Sequence, residues 1–149
     1  MTRGYIGLGS NLGTRARNLS AARRRLRQNG VRILRQSRVI ETEPWGVVDQ
    51  PRFLNQVVEF EWSRTARELL AVAKAVEREG GRSHTRRWGP RVIDVDILLF
   101  GDARVAEKGL TIPHPRIAER PFVVASLAEL GVKIPDNPRV HAHAVSNPA

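Results

Sequence analysis

The sequence predicts an α+β fold, in which a mostly antiparallel sheet carries helices on one face. Strand-like segments occur at the N-terminus, near residues 31–41, at 53–62 and at 92–100, and helical spacing of apolar residues occurs after Gly13 and after Thr65. The resulting order is strand, helix, strand, strand, helix, strand, which is the ferredoxin-like βαββαβ arrangement. A C-terminal hairpin and a helix are expected beyond this core.

The first half of the core is predicted from turn signals and periodicity. Residues 5–8 form a short apolar strand that ends in a glycine-containing turn. Leu19, Ala22 and Leu26 recur at helical spacing, and Gly30 ends the helix. Residues 31–41 favour an extended chain but carry polar side chains on both faces, which is typical of a strand near a sheet edge. Residues 43–51 hold two prolines and a glycine and are expected to form a long surface loop.

The second half begins with an alternating strand at residues 53–62. Thr65 and Glu68 have the spacing of a capping box, which predicts a helix that continues to Gly80. Residues 92–100 are the most apolar strand and are therefore expected to be central. Residues 101–109 form a hairpin or connector, and Pro121 suits the first turn of a final helix. The whole chain, 1–149, is predicted to be one domain with an irregular tail from about residue 135.

Composition limits the classes of function. The formal charge is +10, which attracts polyanions, but aromatic residues make up only 5% of the chain, too few for a base-stacking platform. No apolar run approaches the roughly 20 residues that span a bilayer. The absence of cysteine fits a reducing compartment. We therefore expect a cytoplasmic protein that binds neither nucleic acid nor membrane. A monomer is slightly favoured over a homodimer, although composition does not determine the oligomeric state.

Two aspartates interrupt the apolar strand at 92–100. Asp94 and Asp96 are two residues apart, so their side chains share a face of the strand. Adjacent carboxylates repel each other, and a hard divalent cation such as Mg²⁺ relieves that repulsion. The preceding loop supplies the positive charge that a metal-bound polyphosphate needs, from His84 and from Arg82, Arg86, Arg87 and Arg91. The alternative is that these arginines simply form salt bridges with the two carboxylates.

Residues 87–98 read RWGPRVIDVDIL, and this segment resembles the signature of the 6-hydroxymethyl-7,8-dihydropterin pyrophosphokinase family of folate biosynthesis. Four further segments resemble parts of the same family in the same order: residues 5–12, 42–44 with 49–51, 53–55 and 110–115. The resemblance covers nearly the whole chain. It implies a diphosphotransferase that moves pyrophosphate from ATP to the pterin's hydroxymethyl oxygen and leaves AMP. Attack at the β-phosphorus rests wholly on the resemblance.

The resemblance also implies roles for individual residues. Asp94 and Asp96 would hold two Mg²⁺ ions, and Arg82 and Arg91 would act on the phosphates during catalysis. Binding of ATP, the co-substrate, would involve Glu77, His84, Trp88, Arg91, Thr111, His114 and Arg120.

For the pterin, Phe53 and Phe122 would sandwich the ring, and Asn55 would bind its amino-oxo edge together with the backbone at Thr42 and Pro44. Trp45, like Trp88, would belong to a lid. Without the resemblance, Phe53 and Phe122 suit plain core packing equally well.

Two other functions remain open from the residues alone. A nucleotidyl-transferring palm domain also presents Asp-x-Asp on a ferredoxin-like sheet with two metals, but it releases pyrophosphate. A basic nucleic-acid-binding module would need no metal, and its affinity would fall steeply with salt. The nucleotide product of a reaction with MgATP and the pterin distinguishes all three.

Overall fold

The computed structural model describes residues 1–43, 49–81 and 92–134. Within these ranges it contains seven strands, three α-helices and a short 3₁₀ turn. In chain order they are β1 (Thr2–Ser10), α1 (Arg15–Gln28), β2 (Arg32–Gln36), β3 (Ile40–Thr42), β4 (Phe53–Trp62), α2 (Ala66–Glu79), β5 (Asp94–Phe100), β6 (Val105–Glu107), β7 (Leu110–Ile112), the 3₁₀ turn (Ile117–Glu119) and α3 (Pro121–Glu129). The predicted α+β class is confirmed.

The main sheet has the strand order β2-β4-β1-β5, and β3 also pairs with β4. Every pairing in it is antiparallel. Strand β4 pairs with β1, β2 and β3, so the segment predicted at 53–62 is central. Strands β6 and β7 form a separate hairpin, as expected for the connector after residue 100. The predicted single strand at 31–41 is two strands, β2 and β3, separated by residues 37–39.

One face of the sheet forms the larger core. Side chains of β1, β4 and β5 pack there against the apolar faces of α1 and α2; the fully buried members include Ile6, Val58, Phe60, Leu19, Leu26, Leu69 and Val76. Helix α2 begins with the predicted capping box, in which the Thr65 hydroxyl accepts from the Glu68 N–H and the Glu68 carboxylate accepts from the Thr65 N–H. Helix α3 covers part of the opposite face over a smaller cluster around Val57, Leu98, Val123 and Leu127.

The prediction that residues 92–100 form a central strand is wrong, because β5 lies at one end of the sheet. The strand is apolar because other elements cover its outer edge. The buried Glu77 carboxylate on α2 accepts from the Val95 N–H at 2.9 Å, and the His114 N–H donates to the Leu98 carbonyl at 2.9 Å. A strand whose exposed backbone groups are satisfied in this way can be as apolar as a central one.

Among the described residues, no helix is both long and apolar enough to cross a bilayer.

Candidate active site

A cavity of about 580 Å³ opens on the face of the sheet that α3 only partly covers. Its floor is made by the middle of the sheet, where two rows of residues run across β4, β1 and β5. Asn55, Gly9 and Asp94 pair in one row, and Val57, Gly7 and Asp96 pair in the other. Paired residues of neighbouring strands share a face, so the amide and the two carboxylates lie on opposite sides of a glycine strip.

The two glycines leave the middle of this floor as bare backbone. Neighbouring strands are about 4.8 Å apart, so the α-carbons of Asn55 and Asp94 are about 10 Å apart, with only Gly9 between them. A side chain at position 9 would intrude on the site, because its Cβ would lie 3.1 Å from Asn55 Oδ1. A gap of this width between an amide and a carboxylate admits a flat ring.

Asn55 is held in place by a neighbour on β3. Its Nδ2 donates to Thr42 Oγ1 at 2.6 Å, and the Asn55 side chain is buried. Thr42 pairs with Phe53 in the β3–β4 register, so Thr42, Phe53 and Asn55 form one wall of the cavity. From the other side, α3 presents Phe122 to the same cavity.

Ion pairs join the described residues that precede position 44 to those that follow position 48. Arg52 lies 2.9 Å from the Glu43 carboxylate and 3.6 Å from that of Glu41, and Arg15 contacts Glu41 at 3.0 Å. The hydrogen bond from Arg15 lowers the pKa of Glu41 below its usual value. These pairs join β3 to the start of β4 beside the cavity.

Asn11 lies in the turn after β1 and contacts the residues that lead into β4. Its Nδ2 donates to Gln50 Oε1 at 2.8 Å and to the Pro51 carbonyl at 3.0 Å. The turn at the end of β1 and the chain entering β4 are therefore joined directly next to the glycine floor.

His114 reaches the cavity from the segment after β7. Its Nδ1 accepts from the Arg116 N–H at 3.2 Å, which assigns the proton of the neutral ring to Nε2. Burial lowers the pKa of His114, and the positive charges of Arg120 and Arg116 lower it further, while Asp96 opposes the shift. A neutral imidazole with a fixed Nε2–H is a hydrogen-bond donor that suits an anionic oxygen.

Nine of the ten predicted site residues that the structure describes line this one cavity: Thr42, Phe53, Asn55, Glu77, Asp94, Asp96, His114, Arg120 and Phe122. The tenth, Thr111, is exposed and lines an adjoining cavity of about 230 Å³, which shares Lys74, Asp96 and His114 with the larger one. The predicted residues Pro44, Trp45, Arg82, His84, Trp88 and Arg91 lie outside the described residues.

Lys74 and the glycines at 7 and 9 are among the cavity residues that the sequence-based prediction does not assign to the site. Lys74 on α2 lines both cavities, and its Nζ lies 3.6 Å from Glu77 Oε1. The glycines at 7 and 9 lie on β1 and line the larger cavity. Their spacing of two is the same as that of Asp94 and Asp96, and this shared period was the signal that they leave one strand face without side chains.

The donor set of this site fits a hard metal ion. Asp94 and Asp96 are partly exposed carboxylates on one face, next to glycines that leave room for further ligands. No cluster of three or more histidine, aspartate or glutamate side chains suited to a metal occurs among the described residues. Mg²⁺ matches such a pair, because it is commonly bound through one or two carboxylates and takes its remaining oxygens from water and phosphate.

The antiparallel sheet thus brings paired carboxylates, cationic side chains and two aromatic rings to one cavity. A model of the 7,8-dihydro-6-hydroxymethylpterin-pyrophosphokinase family matches residues 5–132, and the chain belongs to this family.

Curated relatives agree with this assignment. The chain is 44% identical over 131 residues to a 2-amino-4-hydroxy-6-hydroxymethyldihydropteridine pyrophosphokinase of Methylorubrum extorquens, a match covering 87% of this chain and 83% of the relative. It is 45% identical over 127 residues to the protein of the same name from Bacillus subtilis, covering 85% and 76%. It is also 46% identical over 125 residues to a mitochondrial folate synthesis bifunctional protein of Pisum sativum. That match covers 84% of this chain but only 24% of the longer plant protein.

Proposed function

We propose that the protein transfers a pyrophosphoryl group from ATP to 6-hydroxymethyl-7,8-dihydropterin, giving AMP and the pterin diphosphate, as a step of folate biosynthesis. The bond between the β-phosphorus and the oxygen bridging it to the α-phosphorus breaks. A bond from the hydroxymethyl oxygen to the β-phosphorus forms, and the hydroxyl proton is released. The observation that carries the proposal is that Asp94 and Asp96 share one cavity with Phe53, Asn55 and Phe122.

The carboxylate side of the cavity is proposed to hold the triphosphate. Asp94 and Asp96 would bind two Mg²⁺ ions, which when bound neutralise the triphosphate and stabilise the charge that develops on its oxygens during transfer. The neutral ring of His114 donates from Nε2 to a phosphate oxygen, and Arg120 adds a guanidinium group. Lys74, which lines the same two cavities as Asp96, supplies a further cation.

The other side of the cavity is proposed to hold the pterin. The ring lies over the Gly9 backbone between Phe53 and Phe122, and the Asn55 amide, oriented by Thr42, binds the amino-oxo edge of the ring. The hydroxymethyl group then points toward Asp94 and Asp96 across the glycine strip. This arrangement fixes the nucleophile relative to the phosphates, which is the main contribution that positioning makes to catalysis.

Several further assignments come from the sequence and stay proposals. Arg82 and Arg91 act on the transferred group, His84 and Trp88 contribute to ATP binding, Glu77 and Thr111 contact the nucleotide, and Pro44 and Trp45 belong to the pterin side. The strand order and antiparallel pairings support the ferredoxin-like arrangement. A cytoplasmic location and a monomeric state, with small molecules as partners, complete the proposal.

Identification of the nucleotide product tests the proposed reaction. The protein is incubated with MgATP and the reduced hydroxymethylpterin, and the nucleotides are separated by chromatography. We expect AMP in a one-to-one ratio with the pterin diphosphate, and no AMP when the pterin is omitted. Formation of ADP would indicate attack at the γ-phosphorus, and release of pyrophosphate would indicate nucleotidyl transfer; either result would contradict the proposal.

A further inference from the structure

Three adjacent strands place a hydrogen-bonded group of side chains in one row, two residues along β1 and β4 from the row that contains Asp96. Arg35 on β2 and Tyr5 on β1 are both directly opposite Glu59 on β4. Glu59 Oε1 accepts from Arg35 Nε at 3.1 Å, and Glu59 Oε2 accepts from Arg35 Nη2 at 2.9 Å and from the Tyr5 hydroxyl at 2.5 Å. The Glu59 side chain is only 6% exposed, so its charge depends on these partners.

The same guanidinium group also reaches the end of α3. Arg35 Nη2 donates to the Leu130 carbonyl at 2.5 Å, and Leu130 is the C-cap of that helix. The last carbonyl groups of a helix have no partner within the helix and carry the negative end of its dipole, so a cation there is favourable. A second tie lies close by, where the Arg38 N–H donates to both carboxylate oxygens of Glu129 at 3.1 and 3.2 Å.

The opposite end of α3 forms part of the candidate active site. Pro121, Phe122 and Val123 in its first turn line the large cavity. Between its ends, α3 is held by a small apolar cluster in which Val123, Leu127 and Leu130 meet Val57, Leu98 and Ile117. A helix of nine residues is about 14 Å long. If the helix tilts about its Leu130 end, the Phe122 end therefore moves farthest.

We infer that Arg35, Glu59 and Tyr5 are positioning residues that fix α3 on the sheet and thereby hold Phe122 in the wall of the cavity. Arg120 depends on them less, because it precedes α3 and its N–H donates to the Ile117 carbonyl of the 3₁₀ turn at 3.2 Å. The inference rests on the proposed function for the identity of the ligand, a pterin, that Phe122 contacts. It assigns to three residues that do not line the cavity a specific effect on one substrate.

The test compares two double variants of the full chain. In Arg35→Met/Glu59→Gln both charges are removed together, so that no unpaired carboxylate remains in the interior. The control is Arg32→Met/Glu61→Gln, because Arg32 and Glu61 pair on the same two strands at 3.5 Å. The Arg32 side chain is 72% exposed and, among the described residues, forms no ion pair or hydrogen bond with α3. Exposed pairs of this kind contribute little to stability.

Two measurements are made on the unaltered protein and on both variants. Amide hydrogen exchange is followed over residues 121–130, and dissociation constants are measured for the pterin and for a non-hydrolysable ATP analogue with Mg²⁺. For the Arg35/Glu59 variant we expect exchange in α3 to rise by about tenfold and the pterin dissociation constant to rise by about tenfold, with a smaller change for the nucleotide. The control variant should match the unaltered protein in both measurements.

Each of the other outcomes overturns the inference. Unchanged exchange in α3 would mean that the group does not hold the helix. Faster exchange in α3 with a pterin dissociation constant equal to that of the control would mean that the position of α3 does not affect pterin binding. An equal rise in the dissociation constants of the pterin and the nucleotide would indicate that the variant destabilises the whole site. Failure of the proposed function is recognised separately, because the unaltered protein would then not bind the pterin, and the exchange data would still decide whether the group holds α3.

Discussion

Asp94 and Asp96 are the residues on which the proposed chemistry depends most directly. We expect Asp94→Asn and Asp96→Asn each to lower turnover by about a hundredfold or more, because an amide cannot replace an anionic ligand of Mg²⁺. Both side chains are partly exposed, so the fold should tolerate the change. Turnover is measured at saturating Mg²⁺, and thermal unfolding is measured in parallel.

The matched control for these variants is Asp102→Asn in the exposed turn after β5, which should keep full activity. Near-normal turnover of either the Asp94 or the Asp96 variant would contradict the two-metal assignment.

The glycine strip gives a second prediction for single residues. Gly9→Ala would place a Cβ 3.1 Å from Asn55 Oδ1, so the amide must shift away from its position, and we expect the KM for the pterin to rise by roughly tenfold. At Gly7 an added Cβ would lie 3.5 Å from the Leu98 side chain, which is an ordinary contact. Gly7→Ala is therefore the control, and steady-state kinetics with both variants measure the difference. If Gly7→Ala raised the KM for the pterin as much as Gly9→Ala, the position of Asn55 would not be what matters.

At the scale of elements, the two long helices begin in different ways. Thr65 forms a complete capping box at the start of α2, whereas Thr14 at the start of α1 makes no side-chain capping bond. Thr65→Ala should therefore lower the free energy of unfolding by about 1 kcal/mol, and Thr14→Ala should lower it by clearly less. Urea unfolding of both variants measures the two losses. Equal losses would mean that the capping box adds nothing beyond the intrinsic preference of threonine for this position.

Elements were predicted best where local signals and tertiary contacts agree. The capping box, Pro121 in the first turn of α3 and the bounds of β4 follow from patterns a few residues long, and the structure confirms them. The position of β5 could not be predicted in the same way, because the groups that cover its edge, Glu77 and His114, come from other parts of the chain. The division of residues 31–41 into two strands likewise depends on pairing with β4.

The same reasoning applies to the site. The two-residue period of a strand predicts that the side chains of Asp94 and Asp96 share a face. The other residues of the candidate site were predicted through the resemblance to a known family. Lys74 was not predicted, because a lysine on a polar helix face has no functional signal of its own. The spacing of Gly7 and Gly9 indicates a strand face without side chains, but it does not show which residues lie beside that face. Only the packing of α2 on β5 and the pairing of β1 with β4 and β5 bring them to the cavity.

At the scale of the whole molecule, the buried Glu59 links stability to pH. The hydrogen bonds from Arg35 lower the pKa of Glu59 below its ordinary value of 4.5, and the Tyr5 hydroxyl acts in the same direction. A carboxyl group with a lowered pKa stabilises the folded state above its unfolded pKa, and this stabilisation is lost as the pH falls through the folded pKa. The charged pair therefore favours folding at neutral pH and loses its effect in acid.

Glu59→Gln should reveal this dependence. We expect the unaltered protein to be more stable than the variant near pH 7, and the difference between them to shrink once the pH falls below about 4.5. Urea midpoints measured across that range for both proteins give the result. If the stability difference stayed constant with pH, the contact with Arg35 would not favour the ionised form of Glu59.

The bare floor at Gly7 and Gly9 has a consequence for inhibition and resistance. Glycine has no side chain to lose, so substitutions at these two positions can only make the cavity smaller. An inhibitor that packs against this backbone would therefore make a contact that no shortening of a side chain can remove. A substitution at Gly9 that excluded such a compound would also crowd Asn55, so we expect resistance at this position to weaken binding of the proposed pterin substrate as well.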